Sequence, residues 1–213
     1  MTSPVPPYRY LTQHALTGQW LSLALPLTDV SFGADLNGPG ELTGTLSPRF
    51  AASSPELTDP GTTLIYVERD GEIRWGGLIW QCTPEGAAYK LEAASWSSYL
   101  TVRTDLDGEL GGRGPYTNAD PCDIIRDVWE YAQSIPDGDL AVTVDPTTST
   151  AKAGTPAEPW HSYWWENPVL GEHVDNLVQE ADSPEYTCDT EWAASPLVPA
   201  GMYTPPGPDS AGV

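Results

Sequence analysis

The chain has 213 residues with 9 basic and 30 acidic side chains, so its formal net charge at pH 7 is −21. Leu, Ile, Val and Phe make up just under a fifth of the chain, and few aliphatic residues with high net charge are typical of disorder. The 9 Trp and 10 Tyr favour a folded chain instead, because each of these side chains can bury roughly 150–250 Å² of surface. We therefore expect a folded protein with an aromatic-rich core and an acidic surface. That surface argues against specific nucleic-acid binding and against anionic membranes.

Targeting signals and membrane spans are not recognisable in the sequence. The first seven residues contain neither a basic region nor an apolar run, and no window approaches the ~20 apolar residues of a membrane span. Three widely spaced cysteines, Cys82, Cys122 and Cys188, suggest reduced thiols. We expect a soluble protein that folds inside a cell.

The N-terminal half has the pattern of a turn-rich β-structure. The 20 Gly and 22 Pro separate short runs, and alternating apolar residues predict strands over 19–25, 29–36 and 42–46, arranged as a meander with one buried face. A further strand is predicted over 88–95. Residues 1–103 are therefore predicted to form a β-barrel or β-meander domain.

The Asp70-Gly71 dipeptide lies between two β-rich runs and predicts a hairpin with a type I′ turn. Such a hairpin would pair Arg69 with Glu72 across the turn and Tyr66 with Trp75 further along. The Gly76-Gly77 pair within the second strand predicts a bulge, or the bend that closes a small barrel.

Residues 104–192 predict an α+β domain with two amphipathic helices. The first would begin with Asp120 as its N-cap and Pro121 at its first position, and end before Pro136. The second would follow Pro168, and its apolar face would carry Leu170, Val174, Leu177, Val178 and Ala181. Strands are predicted over 140–144 and Tyr186–Trp192, and the Pro/Gly-rich residues 193–213 are expected to be disordered. The predicted fold class is mainly β with a smaller α+β part, an N-terminal β-barrel or meander followed by an inserted α/β domain.

Catalytic and metal-binding motifs are missing from the sequence. His14, His161 and His173 are separated from each other and from the cysteines. The run from Asp105 to Glu109 resembles the start of a calcium loop but lacks the Gly and Glu at later positions, which favours a solvated acidic loop. We predict a protein that is not an enzyme, with no catalytic residue, no metal ligand and no cofactor.

Three tryptophans before the second predicted helix, Trp160, Trp164 and Trp165, are the candidate interaction residues. Exposed indoles can stack on sugars, so one hypothesis is a carbohydrate-binding module that recognises cell-wall glycans of a host. The composition favours the simpler interpretation that these side chains fill a core short of aliphatic residues. An acid-catalysed wall hydrolase is a third hypothesis.

Three segments resemble, in the same order, the minor tail proteins of long-tailed phages that infect actinobacteria, a group related to the tail-hub or baseplate-hub family. The first contains Asp-Val-Ser-Phe-Gly-Ala-Asp-Leu-Asn-Gly-Pro-Gly at 29–40 and the hairpin at 65–77. The second is the helix region 120–138, and the third is Tyr-Trp-Trp-Glu-Asn-Pro-Val-Leu-Gly at 163–171 followed by a helix and Tyr186–Trp192. Together they span residues 8–192.

This resemblance implies a virion structural protein of the phage tail tip that folds in the host cytoplasm. Hub subunits of the family assemble as homotrimers whose β-barrels form a ring that closes or extends the tail tube. The implied partners are other phage tail proteins: the tail tube or distal tail protein and the tape measure, with DNA only as passing cargo. Family members carry a second barrel, for which this chain has no residues, so we expect a truncated hub or a different assembly.

Overall fold

Seven β-strands forming one sheet dominate the structure, which confirms the mainly β fold class. The computed structural model describes residues 8–179 and 183–192. The strands are β1 (Arg9–His14), β2 (Trp20–Ser22), β3 (Thr28–Phe32), β4 (Glu41–Leu46), β5 (Thr63–Arg69), β6 (Glu72–Glu85) and β7 (Ala88–Ser95). The helices are α1 (Pro48–Ser53), α2 (Glu109–Gly112), α3 (Pro121–Ser134) and α4 (Leu170–Gln179), and single 3₁₀ segments cover Pro55–Thr58, Trp96–Val102 and Trp164–Glu166.

The sheet is open, so the predicted β-barrel is wrong. Its strand order is β2-β1-β5-β6-β7-β4-β3, which leaves β2 and β3 as outer strands with no ladder between them in the described part of the chain. The predicted meander over 19–46 also connects differently. β2 pairs with β1, a strand that the sequence pattern did not reveal, whereas β4 and β3 lie at the opposite edge beside β7.

The hairpin of β5 and β6 is confirmed at its turn. Asp70 and Gly71 both have positive φ angles, 57° and 85°, as a type I′ turn requires, and Arg69 lies opposite Glu72. This turn fixes the register of the central antiparallel pair.

Farther from the turn, the predicted pairing of Tyr66 with Trp75 is wrong by one residue. β6 contains one extra residue, Arg74, so Trp75 lies opposite Val67 instead. A β-bulge of this kind raises the local twist and turns the following side chains to the other face.

Gly76 has a different role from the predicted barrel closure. A Cβ atom at this position would lie 2.6 Å from Thr190 Oγ1 and 2.8 Å from Thr190 Cγ2. Glycine therefore lets the segment 189–192 cross directly over β6. Trp192, in the same segment, donates from Nε1 to the carbonyl oxygen of Gly71 at 2.7 Å.

The chain divides into two compact units. One contains residues 8–31, 43–93 and 189–192, and the other contains 32–42, 94–179 and 183–188. The domain boundaries drawn from the sequence, at 103/104 and 192/193, stay predictions. Fully buried aliphatic side chains of the strands are Leu42, Leu46, Ile65, Val67, Leu78, Ile79 and Leu91.

Both predicted helices are present in the second unit. Asp120 caps α3 by accepting from the backbone N–H of Cys122 at 2.9 Å, and it also accepts from Ser149 N at 2.8 Å. Burial opposes ionisation of Asp120, but these backbone donors outweigh it and hold its pKa below the usual value. α4 begins two residues after Pro168, and its buried face carries Leu170, Gly171, Val174 and Leu177. Ala181, expected on the same face, lies outside the described residues.

The two strands predicted for the second part of the chain are wrong. Over 140–144 the backbone is irregular because the side-chain amide of Gln133 bonds both polar groups of Val142, donating to its oxygen at 2.9 Å and accepting from its nitrogen at 2.8 Å. Residues 183–192 are also irregular, and Tyr186 there exchanges two hydrogen bonds with Asn37. The predicted disordered tail, 193–213, lies outside the described residues.

No helix in the described ranges combines the length and the apolar composition needed to cross a membrane.

Candidate interaction surface

A buried carboxylate organises the loop that follows residue 104. Asp105 has no exposed surface and accepts three hydrogen bonds, from Gly108 N at 2.8 Å, Leu110 N at 2.8 Å and Ser162 Oγ at 2.5 Å. Hydrogen bonds to a charged acceptor are stronger than neutral ones. The expectation of a solvated acidic loop is therefore wrong for Asp105, which ties the loop to a segment 57 residues away.

Glu109 makes a second connection between the same two segments. Its backbone N–H donates to the carbonyl oxygen of Ser162 at 2.7 Å, and its carboxylate lies 2.7 Å from His161 Nδ1. The loop and the segment around 161–162 are thus joined by backbone, hydroxyl and carboxylate contacts.

His173 of α4 completes this polar network. Its Nε2 lies 3.0 Å from Ser162 Oγ, and because the Ser162 proton is donated to Asp105, the imidazole must donate here. Burial lowers the pKa of His173, against the opposing effect of the carboxylates of Asp105, Glu172 and Glu166. The hydrogen bond between Ser162 and His173 therefore runs in the opposite direction to that of a serine nucleophile, whose hydroxyl donates to the imidazole.

Beginning at His161, which contacts Glu109 of this network, aromatic side chains form a stacked row. The rings of His161 and Tyr163 lie 4.7 Å apart at an interplanar angle of 15°, and those of Tyr163 and Trp165 lie 4.5 Å apart at 21°. Trp164 meets Trp165 edge-on, at 6.0 Å and 84°. Alternate residues of an extended segment project on the same side, which explains how 161 and 163 can stack, whereas Trp165 reaches Tyr163 from the 3₁₀ segment Trp164–Glu166.

The outer members of the row are exposed. Trp164 and Trp165 are 60% and 62% accessible, and Leu106, in the loop held by Asp105, is 68% accessible. We call Leu106, Tyr163, Trp164 and Trp165 the aromatic surface. Gly108 has φ +80°, and a Cβ there would lie 3.2 Å from Trp164 Cδ1, so glycine lets the loop lie directly against this indole.

The structure separates the three tryptophans that the sequence singled out. Trp164 and Trp165 lie together, and for this pair the expectation of core filling is wrong because both indoles face solvent. Trp160 is half-buried and packs elsewhere, with ring centroids 4.9 Å from His173 and 5.5 Å from Tyr116. Its role as an interaction residue stays a prediction.

Carboxylates accompany the aromatic surface in the chain. Asp107, between Leu106 and Gly108, is exposed, as are Glu166 and Glu172. The arginines of this unit are engaged within it: Arg103 lies over the Tyr99 ring, Arg126 pairs with Asp123, and Arg113 lies 3.9 Å from both Asp127 and Glu130. These arginines are therefore not the partners of the exposed carboxylates that neighbour the aromatic surface in the chain.

Among residues 8–179 and 183–192, no three His, Cys, Asp or Glu side chains are grouped so that they could hold a metal ion. Cys82, Cys122 and Cys188 are free thiols.

No protein-family model matches the chain, and no curated protein matches it. Among solved structures, the chain is similar to the tail protein from Neisseria meningitidis MC58, with 12% sequence identity and a TM-score of 0.38. The match covers 89% of this chain and 53% of that one, so the chain spans about half the length of the structure it matches.

Proposed function

We propose that the chain is a structural protein of a phage tail tip, a tail-hub or minor tail protein, whose copies assemble into a ring that closes or extends the tail tube. The ordered resemblance of three segments to phage minor tail proteins supports the family. The observation that supports assembly of copies into a ring is the open sheet, which has two outer strands. An outer strand offers unpaired backbone groups to a strand of another molecule.

The β2 edge is the better suited of the two for pairing with another copy. β2 reads Trp-Leu-Ser and contains no charged residue, whereas β3 contains Asp29. Leu16 and Leu23 flank β2 in the chain and are both more than half exposed. Outer strands of monomeric proteins are usually protected by shortness, Lys, Pro or inward-pointing charges; β2 is only three residues long but has none of the other three.

The acidity of the chain suits the lumen of a tail and sets the conditions for assembly. Negative walls repel phosphates, so DNA would pass as cargo without being held. The same charge makes copies repel each other, and this repulsion is screened at distances beyond about 8 Å at 0.15 M salt. We expect a trimer that becomes more populated as salt rises, and the tail tube, distal tail protein and tape measure as neighbours.

Sedimentation velocity at 0.15 M and 1 M NaCl tests this proposal. We expect a trimer whose population increases with salt, and loss of the trimer in Leu23→Lys, which places a charge beside the β2 edge. Val102→Lys is the matched control, because Val102 is also exposed but does not flank an outer strand. A monomer at both salt concentrations and at high protein concentration would overturn the proposal, as would equal effects of the two lysine variants.

A further inference from the structure

We propose that the aromatic surface is a docking site for a basic, partly apolar segment of a partner protein, a segment that presents Arg or Lys beside aliphatic side chains. The surface lies within one compact unit and does not involve the strands used for ring assembly. The proposal therefore holds whether or not the chain forms a ring.

The exposed indoles are the first reason to expect a partner. The adjacent Trp164 and Trp165 meet edge-on and are 60% and 62% exposed. Leu106, 68% exposed, lies two residues before Gly108, whose backbone lies against Trp164. Contiguous exposed apolar groups mark interaction sites, and Trp is enriched among the residues that dominate binding energy.

The surface is also held in place before any partner arrives. Asp105 fixes the loop that carries Leu106, and Ser162, bonded to Asp105, lies next to the stacked rings of the row. Tyr163 stacks on Trp165, which restricts both side chains. Because the side chains are already ordered, a partner would lose little affinity to the cost of ordering them.

The carboxylates near the exposed indoles favour a basic partner segment. Glu166 directly follows Trp165 in the chain, and Asp107 precedes Gly108, whose backbone lies against Trp164; both carboxylates are exposed. An Arg or Lys side chain can contact a carboxylate and an indole face together. A second copy is a poor occupant, because it carries a net charge of −21 and only 9 basic residues.

The orientation of the rings favours a peptide over a sugar. Trp164 and Trp165 are nearly perpendicular, at 84°, and Tyr163 covers one face of Trp165. This arrangement offers no pair of coplanar indoles on which a flat sugar chain could lie. Side chains of a peptide can instead fill the angle between the rings, with a cation on one indole and an aliphatic group on the other.

Isothermal titration with synthetic peptides tests the proposal on the full chain. The probe is an acetylated and amidated peptide of three Gly-Arg-Leu repeats, compared with Gly-Glu-Leu and Gly-Arg-Ser repeats of the same length. We expect the first to bind, the second not to bind, and the third to bind at least about fivefold more weakly because it lacks the apolar groups. Trp164→Ala and Trp165→Ala should each weaken binding of the first peptide about tenfold or more.

Matched variants separate binding at the aromatic surface from electrostatic attraction by the net negative charge of the protein. Glu166→Gln should weaken binding by about twofold to fivefold, whereas Glu56→Gln, which removes an exposed carboxylate from the other unit, should leave it unchanged. Leu106→Ser provides a second test of the surface if a tryptophan variant lowers the melting temperature. Leu23→Lys, the variant that tests the ring, should bind the peptide like the wild type.

Two results would overturn the docking proposal. One is equal affinity for the two arginine peptides with no effect of the tryptophan or Leu106 variants, which would mean attraction by net charge alone. The other is binding of soluble peptidoglycan fragments, lost in Trp164→Ala, without binding of the Gly-Arg-Leu peptide, which would mark a carbohydrate-binding module. Neither result depends on whether the chain sediments as a trimer.

Discussion

Replacing Asp105 by Asn tests the buried carboxylate that joins the loop at 105–110 to the segment around Ser162. The carboxylate has two oxygens, and together they accept from two backbone N–H groups and one hydroxyl. An asparagine keeps one accepting oxygen and places an NH₂ group where the other oxygen was. At least one donor, such as Gly108 N, then faces another donor in a site without solvent.

The expected cost follows from these contacts. A buried donor left without an acceptor costs about 1–3 kcal/mol, and each remaining bond loses about 1 kcal/mol when its acceptor becomes neutral. Asp105→Asn should therefore lower the free energy of unfolding by about 3–5 kcal/mol. Asp107→Asn is the matched control, since Asp107 is exposed and accepts from the Tyr131 hydroxyl at 3.1 Å, a bond that an amide oxygen can keep. Its cost should stay below about 0.5 kcal/mol.

Urea unfolding followed by tryptophan fluorescence measures the difference. With a slope of about 2–3 kcal/mol per molar urea, the midpoint of Asp105→Asn should fall by about 1–2.5 M. Hydrogen exchange should increase in peptides covering 105–112 and 160–166, the two segments that the carboxylate joins. A midpoint of Asp105→Asn within about 0.2 M of wild type, or an equal loss in Asp107→Asn, would refute the reasoning.

Two further predictions concern the other unit and the histidine of α4. Gly76→Ala places a Cβ 2.6 Å from Thr190 Oγ1, so we expect a loss of about 1–3 kcal/mol in thermal unfolding. The loss should be smaller when the substitution is made in the Thr190→Gly background, and Gly33→Ala, with nothing within 4 Å, should cost little. The pKa of His173 is lowered by burial, so the unfolded chain takes up this proton first as the pH falls. Stability from this group is complete above about pH 6.5 and is lost below it, with a slope of at most about 1.4 kcal/mol per pH unit. His173→Gln should show a flatter loss of stability between pH 7 and 5 than wild type; parallel curves for wild type and His173→Gln would contradict this assignment.

Local chemistry was enough to predict the β5–β6 turn and the start of α3. The Asp70-Gly71 turn and the Asp120-Pro121 cap act through neighbouring residues, so both could be predicted from sequence. The bulge at Arg74 could not, because the extra residue is defined by its pairing with β5 and leaves no distinct pattern in β6 itself.

The incorrect strand over 140–144 has a physical explanation. Alternating apolar residues there suit a strand, but a strand also needs a backbone partner. The Gln133 side chain satisfies both polar groups of Val142, and so replaces the neighbouring strand at that position.

For the candidate site, the sequence pointed to Trp160, Trp164 and Trp165 but favoured core filling, and it showed neither the exposure of Trp164 and Trp165 nor what holds them. The hydrogen bond between Asp105 and Ser162 joins residues 57 positions apart in the sequence, and no local sequence pattern indicates such a pair. The available signal was an Asp followed three residues later by a Gly, which in the structure has a positive φ. This spacing indicates a turn closed by the Asp side chain, whereas the acidic composition of the run predicts a solvated loop.

The strand order has a consequence for how the protein is made. β5, β6 and β7 are consecutive neighbours, so they can pair as soon as they are synthesised, whereas β1 must wait for β5 and β4 must wait for β7. The hairpins β1–β2 and β3–β4 therefore leave the ribosome before the strands that receive them exist. Pairing over such separations slows folding, and the two early hairpins are the parts of the sheet most exposed to wrong partners. On the ribosome, the sheet can be completed only after Ser95 has emerged.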